Sequence, residues 1–234
     1  MTAIGASAFY SVACTSLLSI DIPEGVTTIG AYAFCSCIRL RSIEIPEDVT
    51  TLEEGVFQDC SSLESIVIPE GVTTIGACAF YGCSSLRSIE IPEGVTTISS
   101  NAFSRCTRLT LAKLPDSLIT IQLAALERCR SLPSIDIPNN VTTIGYGAFL
   151  GCDGLSRINI PYGVIAIGAR AFAECRALHT VYIPDSVYWI GREAFYHCGR
   201  LHIFTNCVSK SDGWLRKWKP LSCGVSWSSN PPQV

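Results

Sequence analysis

Apolar and polar residues follow one short pattern that recurs along the chain. In the segment LRSIEI, the apolar Ile43 and Ile45 flank the polar Glu44, and this alternation predicts a short, half-buried strand. Pro46 comes next, and because proline lacks a backbone N–H and favours turns, it ends that strand. The β-branched residues in segment 49–52 then predict a second short strand.

The spacing of apolar residues changes after the second strand. In the segment AYAFCSC, the residues Ala33, Phe34 and Cys37 occupy positions i, i+1 and i+4, which lie on one face of a helix. The sequence therefore predicts that each unit consists of a strand, a turn, a second short strand and a short helix.

A period of 23 residues organises this pattern. Eight of the twelve prolines lie 23 residues apart, from Pro23 to Pro184, and nine of the thirteen cysteines do so from Cys14 to Cys198. A leucine stands three residues after each of these nine cysteines. A fixed period of this length is typical of a solenoid, whose units bury their apolar faces against one another. We therefore predict an α/β solenoid of about nine 23-residue units, with parallel short strands on one face and short helices on the other.

The repeated unit resembles that of the BspA-like leucine-rich repeats, whose pattern is LxxIxIPxxVTxIGxxAFxxCxxL. The clearest copy, residues 68–90, reads IPEGVTTIGACAFYGCSSLRSIE, and the resemblance covers about residues 1–206. It implies a leucine-rich repeat solenoid that is a non-catalytic scaffold and binds a protein or peptide on its strand face. It also implies an alternative, because members of that family occur as bacterial surface adhesins that bind host or matrix proteins. The chain would then be a soluble fragment of such an adhesin.

The repeat divides the chain into a solenoid, residues 1–206, and a non-repeat segment, residues 207–234. The first residues, MTAIG, align with VTTIG, so the N-terminal unit is partial, through either a truncated or a native start. No basic and apolar leader is visible there, which predicts a cytoplasmic location, or an extracellular one if the chain is a fragment. In segment 207–234, Trp214, Leu215 and Trp218 predict either a C-terminal cap or a disordered tail, with a basic partner-binding segment as a third interpretation.

Composition excludes several classes of protein. Hydrophobic residues make up 48% of the chain and charged residues 16%, which is too apolar for a disordered chain. No segment approaches the ~18 unbroken apolar residues that a membrane helix needs. The formal charge is -3, which argues against a nucleic-acid partner. We expect no membrane span, and either a monomer or end-to-end association of copies.

The cysteine column predicts packing rather than chemistry. The count is odd and no secretory signal is visible, which argues against a disulfide framework. Zinc sites use closely spaced ligands, whereas these cysteines lie 23 residues apart. Cysteine is among the most buried residue types, so we predict a packed, reduced column. The four cysteines outside the column are expected to be more exposed: Cys35, Cys78, Cys207 and Cys223.

No catalytic, cofactor-binding or metal-binding residues are predicted. His197, Cys198 and His202 lie close together near the C-terminal end of the repeat. However, Cys198 belongs to the packed column, and His202 takes the surface position that Arg41 and Arg87 hold in other units. The glycines follow the repeat and form no phosphate-binding loop.

Carboxylates recur in two columns, of which one follows the proline and the other lies on the outward side of the first strand. The first column reads Glu24, Glu47, Glu70, Glu93, Asp116, Asn139, Tyr162 and Asp185. The second column reads Asp21, Glu44, Val67, Glu90, Lys113, Asp136, Asn159 and Tyr182. An acidic edge of this kind either keeps the solenoid soluble and blocks edge pairing, or steers a basic partner.

In the N-terminal half, the outward strand positions are mostly serines and carboxylates. From the fifth unit onward, the residue types at these positions vary. The candidate protein-binding surface consists of Leu111, Lys113, Arg157, Asn159, Tyr162, Thr180 and Tyr182. Aromatic and arginine side chains are the usual anchors of protein interfaces. The sequence therefore predicts a binding surface centred on Arg157, Tyr162 and Tyr182, with ordinary surface variation as the alternative.

Overall fold

The structure is a computed structural model that describes residues 2–10, 12–199, 201–205 and 224–227. Its only helix in these ranges is the 3-10 helix Val12–Ser16. The strands are β1 Ala3–Ile4, β2 Thr28–Ile29, β3 Thr51–Leu52, β4 Thr74–Ile75, β5 Ser88–Glu90, β6 Thr97–Ile98, β7 Leu111–Lys113, β8 Thr120–Ile121, β9 Ser134–Asp136, β10 Thr143–Ile144, β11 Arg157–Asn159, β12 Ala166–Ile167, β13 Thr180–Ile183, β14 Trp189–Ile190, β15 His202–Thr205 and β16 Gly224–Trp227.

The second strands of the units form one parallel sheet. Its nine strands follow the order β1-β2-β3-β4-β6-β8-β10-β12-β14. From β2 onward each residue pairs with the residue 23 positions later, as Thr143 does with Ala166. The strand predicted in segment 49–52 is confirmed in its last two residues, β3. This constant register stacks each unit directly on the next, which confirms the predicted solenoid of parallel strands.

The first strands of the units form a second row of parallel strands on another side of the solenoid. One sheet contains β5 and β7, and another follows the order β9-β11-β13-β15-β16. Nearer the N-terminus the row is reduced to a single bridge between Glu44 and Val67. We call the outward side of β5, β7, β9, β11, β13 and β15 the strand face.

A proline interrupts this second row between β7 and β9. Just before β11, Ser156 donates its backbone N–H to the carbonyl of Pro133, and just before β7 Thr110 donates its N–H to the carbonyl of Arg87. Pro133 precedes β9 at the equivalent position, but it has no N–H with which to bond to the carbonyl of Thr110. The proline explains why β5 and β7 form a sheet separate from that of β9 and the later strands.

The predicted short helices are wrong, because the segments that should form them are chains of turns. In segment 33–37, the N–H groups of odd-numbered residues bond to the carbonyl three residues earlier, whereas those of even-numbered residues bond to the next unit. The bond from the Phe34 N–H to the Val56 carbonyl is 2.9 Å long. Packed α-helices need about 8–10 Å between their axes, but these units stack at the ~4.8 Å spacing of a sheet. Turns fit that spacing and helices do not.

These turns place two residues in left-handed backbone conformation in each of the eight units from residue 32 to residue 197. Four of the sixteen positions are glycine, and the φ angles lie between 51° and 73°. The first column contains Tyr32, Gly55, Cys78, Asn101, Ala124, Gly147, Arg170 and Glu193. The second column contains Ser36, Asp59, Gly82, Arg105, Arg128, Gly151, Glu174 and His197. A non-glycine residue costs roughly 1–2 kcal/mol in this conformation, so the stacking of the units must offset that cost.

The core is a single column of apolar side chains that runs between the strands and the turns. Phenylalanine rings stack at its centre, with 5.2 Å between the ring centroids of Phe80 and Phe103 and the same distance between Phe149 and Phe172. Leu126 interrupts the stack but is buried like the rings. Leu126 belongs to a divergent unit, residues 109–131, in which Ala112 and Leu126 stand where other units have isoleucine and phenylalanine. Its strand β8 nevertheless pairs with both of its neighbours in the sheet. The divergence therefore leaves the stacking of the units intact.

The column cysteines are buried, as predicted, and their thiols are hydrogen-bonded. From Cys60 to Cys198, every column thiol donates to the carbonyl of the residue 26 positions earlier, with Sγ–O distances of 2.9–3.2 Å. The Phe34 carbonyl, for example, accepts both the Cys60 thiol and the N–H of Cys37. Burial raises the pKa of Cys60 and of Cys152 to about 12, so these side chains remain protonated thiols.

Two predictions about individual cysteines are wrong. Cys14 and Cys37 form a disulfide instead of remaining reduced, and their Cα atoms are 4.8 Å apart. Stacking brings neighbouring column cysteines within the Cα separation that a disulfide requires. Cys35, expected to be exposed, is only 4% exposed, because its segment is a turn rather than a helix with an outer face. Cys78 is half-buried, whereas Cys207 and Cys223 lie outside the described residues.

The non-repeat segment, residues 207–234, contributes at least one strand to the fold. β16 pairs with β15 in parallel, with Phe204 opposite Ser226, so it continues the row of first strands by one step. The predicted cap residues Trp214, Leu215 and Trp218 lie outside the described residues.

Candidate functional site

The strand face presents side chains from alternate strand residues. In β11 the first and third residues are exposed and the middle residue is buried, as the pleat of a strand requires. The parallel register of β9, β11 and β13 then aligns these outward residues into rows. The two rows are Ser134, Arg157 and Thr180, and Asp136, Asn159 and Tyr182.

These rows form the floor of a groove with a volume of about 960 Å³. The groove lies on β9, β11 and β13 and on the turns that follow β9 and β11. Its lining consists of Ser134, Ile135, Asp136, Asn139, Ser156, Arg157, Ile158, Asn159, Ile160, Pro161, Tyr162, His179, Thr180 and Tyr182.

Five of the seven residues of the predicted surface line this groove. They are Arg157, Asn159, Tyr162, Thr180 and Tyr182. Leu111 and Lys113 do not line it, because they belong to β7, on the other side of the break at Pro133. The structure therefore brings together the residues on which the predicted surface is centred and separates two others from them.

The structure adds polar residues that the sequence did not single out for this site. Asp136, Asn139 and His179 line the groove beside the predicted residues. Asp136 and Asn139 stand in the two carboxylate columns, one unit before Asn159 and Tyr162. Treating the columns as neighbouring rows of one surface would have found them. No comparable signal in the sequence marks His179.

Two tyrosines form the aromatic part of the groove. Tyr182 is the third residue of β13 and is half-buried, whereas Tyr162 follows Pro161 at the turn after β11 and is 63% exposed. Their hydroxyl oxygens are 3.3 Å apart, so one hydroxyl donates to the other. The two tyrosines thus meet at their hydroxyl groups on neighbouring units and bring aromatic rings and hydroxyl groups to the groove.

Charged and amide side chains surround the tyrosines. Arg157 and Asp136 lie on neighbouring strands, in different rows, and are both exposed. Neither side chain forms an ion pair or a side-chain hydrogen bond within the part of the chain that the structure describes. Asn139 and Asn159 add amide groups that can donate and accept hydrogen bonds. The groove can therefore bind both polar and apolar groups of a partner.

The hydroxyl groups of the groove are not arranged as in a hydrolase. The Ser156 hydroxyl donates to the Pro133 carbonyl at 3.1 Å rather than to an imidazole. Across residues 2–205, as far as they are described, no hydrogen bond joins a serine or threonine hydroxyl to His179. Among the described residues of the groove, Ser156 and His179 therefore do not form a hydrogen-bonded nucleophile–base pair.

Toward the N-terminus, exposed carboxylates continue the rows from the groove. The residues after the prolines, Glu47, Glu70, Glu93 and Asp116, are all exposed. Glu93 also has a structural role, because its carboxylate accepts the N–H groups of Asp116 and Ser117 at 3.0 and 3.2 Å. We call the exposed carboxylates Glu47, Glu70, Glu90, Glu93 and Asp116 the acidic strip.

Lys113 shows how a cation sits beside the acidic strip. Its ammonium group forms an ion pair with Glu90 on the neighbouring strand. The hydrogen bond to Glu90 and the charge of Glu90, followed by the charges of Glu70 and Glu93, raise the pKa of Lys113 above its usual value. The strip therefore favours a positive charge in front of it.

The described residues contain no cluster of His, Cys, Asp and Glu side chains that could hold a metal ion. Cys198 is buried in the core column. His202 pairs with Thr180 in the sheet, so the prediction that it takes the position of Arg41 and Arg87 is wrong. β13 and β15 pair residues that are 22 positions apart, whereas β11 and β13 pair residues that are 23 positions apart, so His202 falls in the row of Arg157 and Thr180.

Comparisons with known proteins agree with this architecture. The family model of the BspA type leucine rich repeat region matches in six copies, over residues 2–132 and 73–202. The chain is similar to a leucine-rich repeat protein from Bacteroides ovatus, with 32% identity and a TM-score of 0.82 over 96% of this chain. It is also similar to a leucine rich cell surface protein from Faecalibacterium prausnitzii, with 31% identity and a TM-score of 0.66 over 91% of this chain.

A third similar structure is the T. pallidum leucine rich repeat protein, with 27% identity and a TM-score of 0.55 over 79% of this chain and 78% of that one. The chain spans only 55% of the B. ovatus protein and 65% of the F. prausnitzii protein. No curated protein matches it. Repeats of this type form a general protein-interaction scaffold and are generally non-catalytic. In the described ranges, no helix has the length and apolar character needed to cross a membrane.

Proposed function

We propose, from the premise that this chain belongs to the BspA-type leucine-rich repeat family, that it is a non-catalytic scaffold that binds a protein or peptide in the groove of the strand face. The single observation that carries this proposal is the pair of adjacent tyrosines, Tyr162 and Tyr182, in a groove of about 960 Å³ on three paired strands. Outside the groove, the outward residues of the strand face are Ser88 and Glu90 of β5, Leu111 and Lys113 of β7, and His202 and Phe204 of β15.

Several properties of the groove support a role in binding. Tyrosine supplies a large contact area at a low cost in side-chain entropy, and it is enriched among the residues that dominate binding energy. Arg157, the other residue type enriched at such positions, lies in the row beside the tyrosines and forms no ion pair with described residues. Because β9, β11 and β13 are hydrogen-bonded to one another, these side chains are held on a rigid support, so binding requires little reorganisation.

Site-specific photo-crosslinking tests the proposal. The full chain would carry a photoreactive amino acid at Thr180, inside the groove, or at Arg105, an exposed position on the turn side. We expect protein adducts from the Thr180 position that disappear when Tyr162 and Tyr182 are both replaced by alanine. Adducts of equal yield from both positions, or adducts that survive the double substitution, would contradict the proposal.

A second candidate function is that of a cell-surface adhesin. Two observations favour it: the similar protein from F. prausnitzii is described as a cell surface protein, and Cys14 and Cys37 form a disulfide. Disulfides persist in oxidising compartments and are rare in the cytoplasm. The sequence-based prediction of a cytoplasmic location would instead require Cys14 and Cys37 to be reduced thiols.

Mass spectrometry can distinguish these two candidate functions. The chain would be purified from its own cells, with its thiols trapped by an acid quench followed by alkylation. A Cys14–Cys37 disulfide in that material, together with protease accessibility on intact cells, supports the adhesin. Alkylated Cys14 and Cys37 in protein that is protected from external protease support the cytoplasmic scaffold.

A further inference from the structure

The groove and the acidic strip are parts of one continuous surface. Asn139 and Tyr162 line the groove, and the residues at the same position in the preceding units are Asp116, Glu93 and Glu70. Asp136, which lines the groove from the neighbouring row, brings a further carboxylate to the same side. A ligand that occupies the groove and extends toward the N-terminus of the solenoid therefore meets carboxylates on every unit.

The opposite end of the groove has a different character. Tyr182 pairs in register with Phe204 on β15, and the ring of Phe204 lies 4.5 Å from that of His202. The surface thus changes along the solenoid axis from acidic, through polar, to aromatic. A ligand that fits it must carry its positive charges and its apolar groups at opposite ends.

We propose that the groove binds an extended peptide segment of the partner, with an aromatic side chain against Tyr162 and Tyr182 and lysine or arginine side chains toward Asp136, Asp116 and Glu93. This proposal rests on the function proposed above and specifies the chemistry of the partner. The peptide runs along the solenoid axis and crosses the strands, so that successive units contact successive parts of it.

The spacing of the units fixes the spacing of the peptide's side chains. Successive units are ~4.8 Å apart and an extended peptide advances ~3.3 Å per residue. Asp136, Asp116 and Glu93 lie one, two and three units before Tyr162. The basic residues of the peptide should therefore lie about two to five positions from its aromatic residue.

The chain itself contains an example of the proposed pairing. Lys113 places its ammonium group against Glu90, near the charges of Glu70 and Glu93, and its side chain remains exposed. Glu93 is held in place by its bonds to the N–H groups of Asp116 and Ser117, so it loses little freedom when a ligand binds. Asp136 and Asp116 have no ion pair with described residues and remain free to accept a partner's cation.

Selection from a random peptide library tests the proposal. Eight-residue peptides displayed on phage would be selected on the immobilised full chain, and the enriched peptides would be synthesised for affinity measurements. We expect enrichment of one aromatic residue with lysine or arginine two to five positions away, always on the same side. Replacing Tyr162 and Tyr182 by alanine should weaken binding about 10-fold or more, as for buried interface tyrosines.

Charge variants examine the acidic side of the surface. The double substitution Asp136→Asn and Asp116→Asn should weaken binding of the selected peptides roughly 2- to 10-fold, in line with exposed ion pairs, and the loss should shrink at high salt. The matched control, Asp21→Asn with Glu24→Gln, removes one exposed carboxylate from each of the same two columns, far from the groove and outside the acidic strip, and should leave the affinity unchanged.

The possible results distinguish a failure of this inference from a failure of the proposed function. Enriched peptides that need the tyrosines but are neutral or acidic would overturn the basic-peptide inference and leave the proposed function standing. No tyrosine-dependent peptide, or tyrosine-dependent binding only to glycans on an array, would overturn both. A Y162A/Y182A protein that is unfolded by circular dichroism would be replaced by Y162F/Y182F, which removes the two hydroxyl groups and should weaken binding less.

Discussion

At the residue scale, the column cysteines show how one side chain can serve both packing and hydrogen bonding. Each thiol fills space in the core and also donates to a phenylalanine or leucine carbonyl of the preceding unit. An alanine at this position would lose both contributions, whereas a buried polar donor without an acceptor would be costly. Sequence reasoning predicted the burial of the column from its period, but not the acceptor, because the acceptor lies on the backbone 26 residues away.

Thiol labelling of the native protein should distinguish two classes of free cysteine. The half-buried Cys78 should react first, whereas Cys35 and the column residues Cys83 and Cys106 should react slowly. The thiolate is the reactive form, and burial raises the pKa of Cys83 and Cys106 well above the usual value, so both should hold less thiolate than Cys78 at the pH of labelling. Peptide mass spectrometry after timed alkylation measures the order. Labelling of Cys83 as fast as Cys78 would contradict the buried column.

Removing one stacked ring should strongly lower the free energy of unfolding. Phe80 is fully buried between Phe57 and Phe103, with centroid distances of 5.5 and 5.2 Å. Phe80→Ala should lower the free energy of unfolding by about 3–5 kcal/mol, because it leaves a cavity in the core. Tyr10→Ala, at an exposed aromatic residue, is the control and should change it by less than about 0.5 kcal/mol. Urea denaturation measures both, and similar values for the two variants would contradict the assigned core.

At the scale of elements, the left-handed turn residues replace the predicted helices. The apolar spacing of Ala33, Phe34 and Cys37 is compatible with a helix over seven residues, and nothing within one unit distinguishes it from a chain of turns. The distance to the next unit decides between a helix and a chain of turns. The sheets on the other sides of the solenoid set that distance. The strands were predictable because alternation and β-branched residues are local signals, whereas the turns depend on stacking.

Two glycine substitutions test the left-handed turns. Gly151 has a φ of 70°, and Gly71 lies in an ordinary region of backbone conformation with its nearest neighbour atom 3.4 Å from an added Cβ. Gly151→Ala should destabilise the protein by roughly 1–2 kcal/mol, the cost of left-handed conformation. Gly71→Ala should be neutral or slightly stabilising. Thermal unfolding measures both, and equal melting temperatures would argue against a left-handed turn at residue 151.

At the scale of the whole molecule, stability should vary along the solenoid. Each unit contacts only its neighbours, so an end unit is supported from one side. The N-terminal residues Ile4, Phe9, Leu17, Ile20 and Ile22 are only partly buried, whereas the residues that take their places in the next unit are buried. The disulfide between Cys14 and Cys37 fastens this end to the second unit.

Hydrogen exchange should report this gradient. Amide protons in segment 2–22 should exchange faster than those of the central units, because local opening of an end costs less free energy than global unfolding. Reducing the disulfide should accelerate exchange in segment 2–22 and leave segment 68–150 unchanged. Exchange measured by mass spectrometry, with the Cys14→Ser variant as an additional comparison, tests this; uniform protection along the chain would contradict it.

The candidate site, like the fold, was predictable only in part from the sequence. The period placed Arg157, Asn159, Thr180 and Tyr182 on the same side of neighbouring strands, and the structure brings them together around one groove. The exclusion of Leu111 and Lys113 was not predictable from outward positions alone. It depends on Pro133, a residue outside the repeat's proline column whose missing N–H divides the row of strands.

The alternating N–H pattern of the turns also governs how such a molecule can change in length. Inserting a single residue into a turn segment such as 33–37 would shift the residues that follow it in that segment out of their alternating bonds to the next unit. Inserting or deleting a complete copy leaves each remaining copy with a neighbour of the same shape. Recombination between similar stretches of the coding sequence would therefore lengthen or shorten the rod in increments of ~4.8 Å, while the surviving surfaces keep their composition.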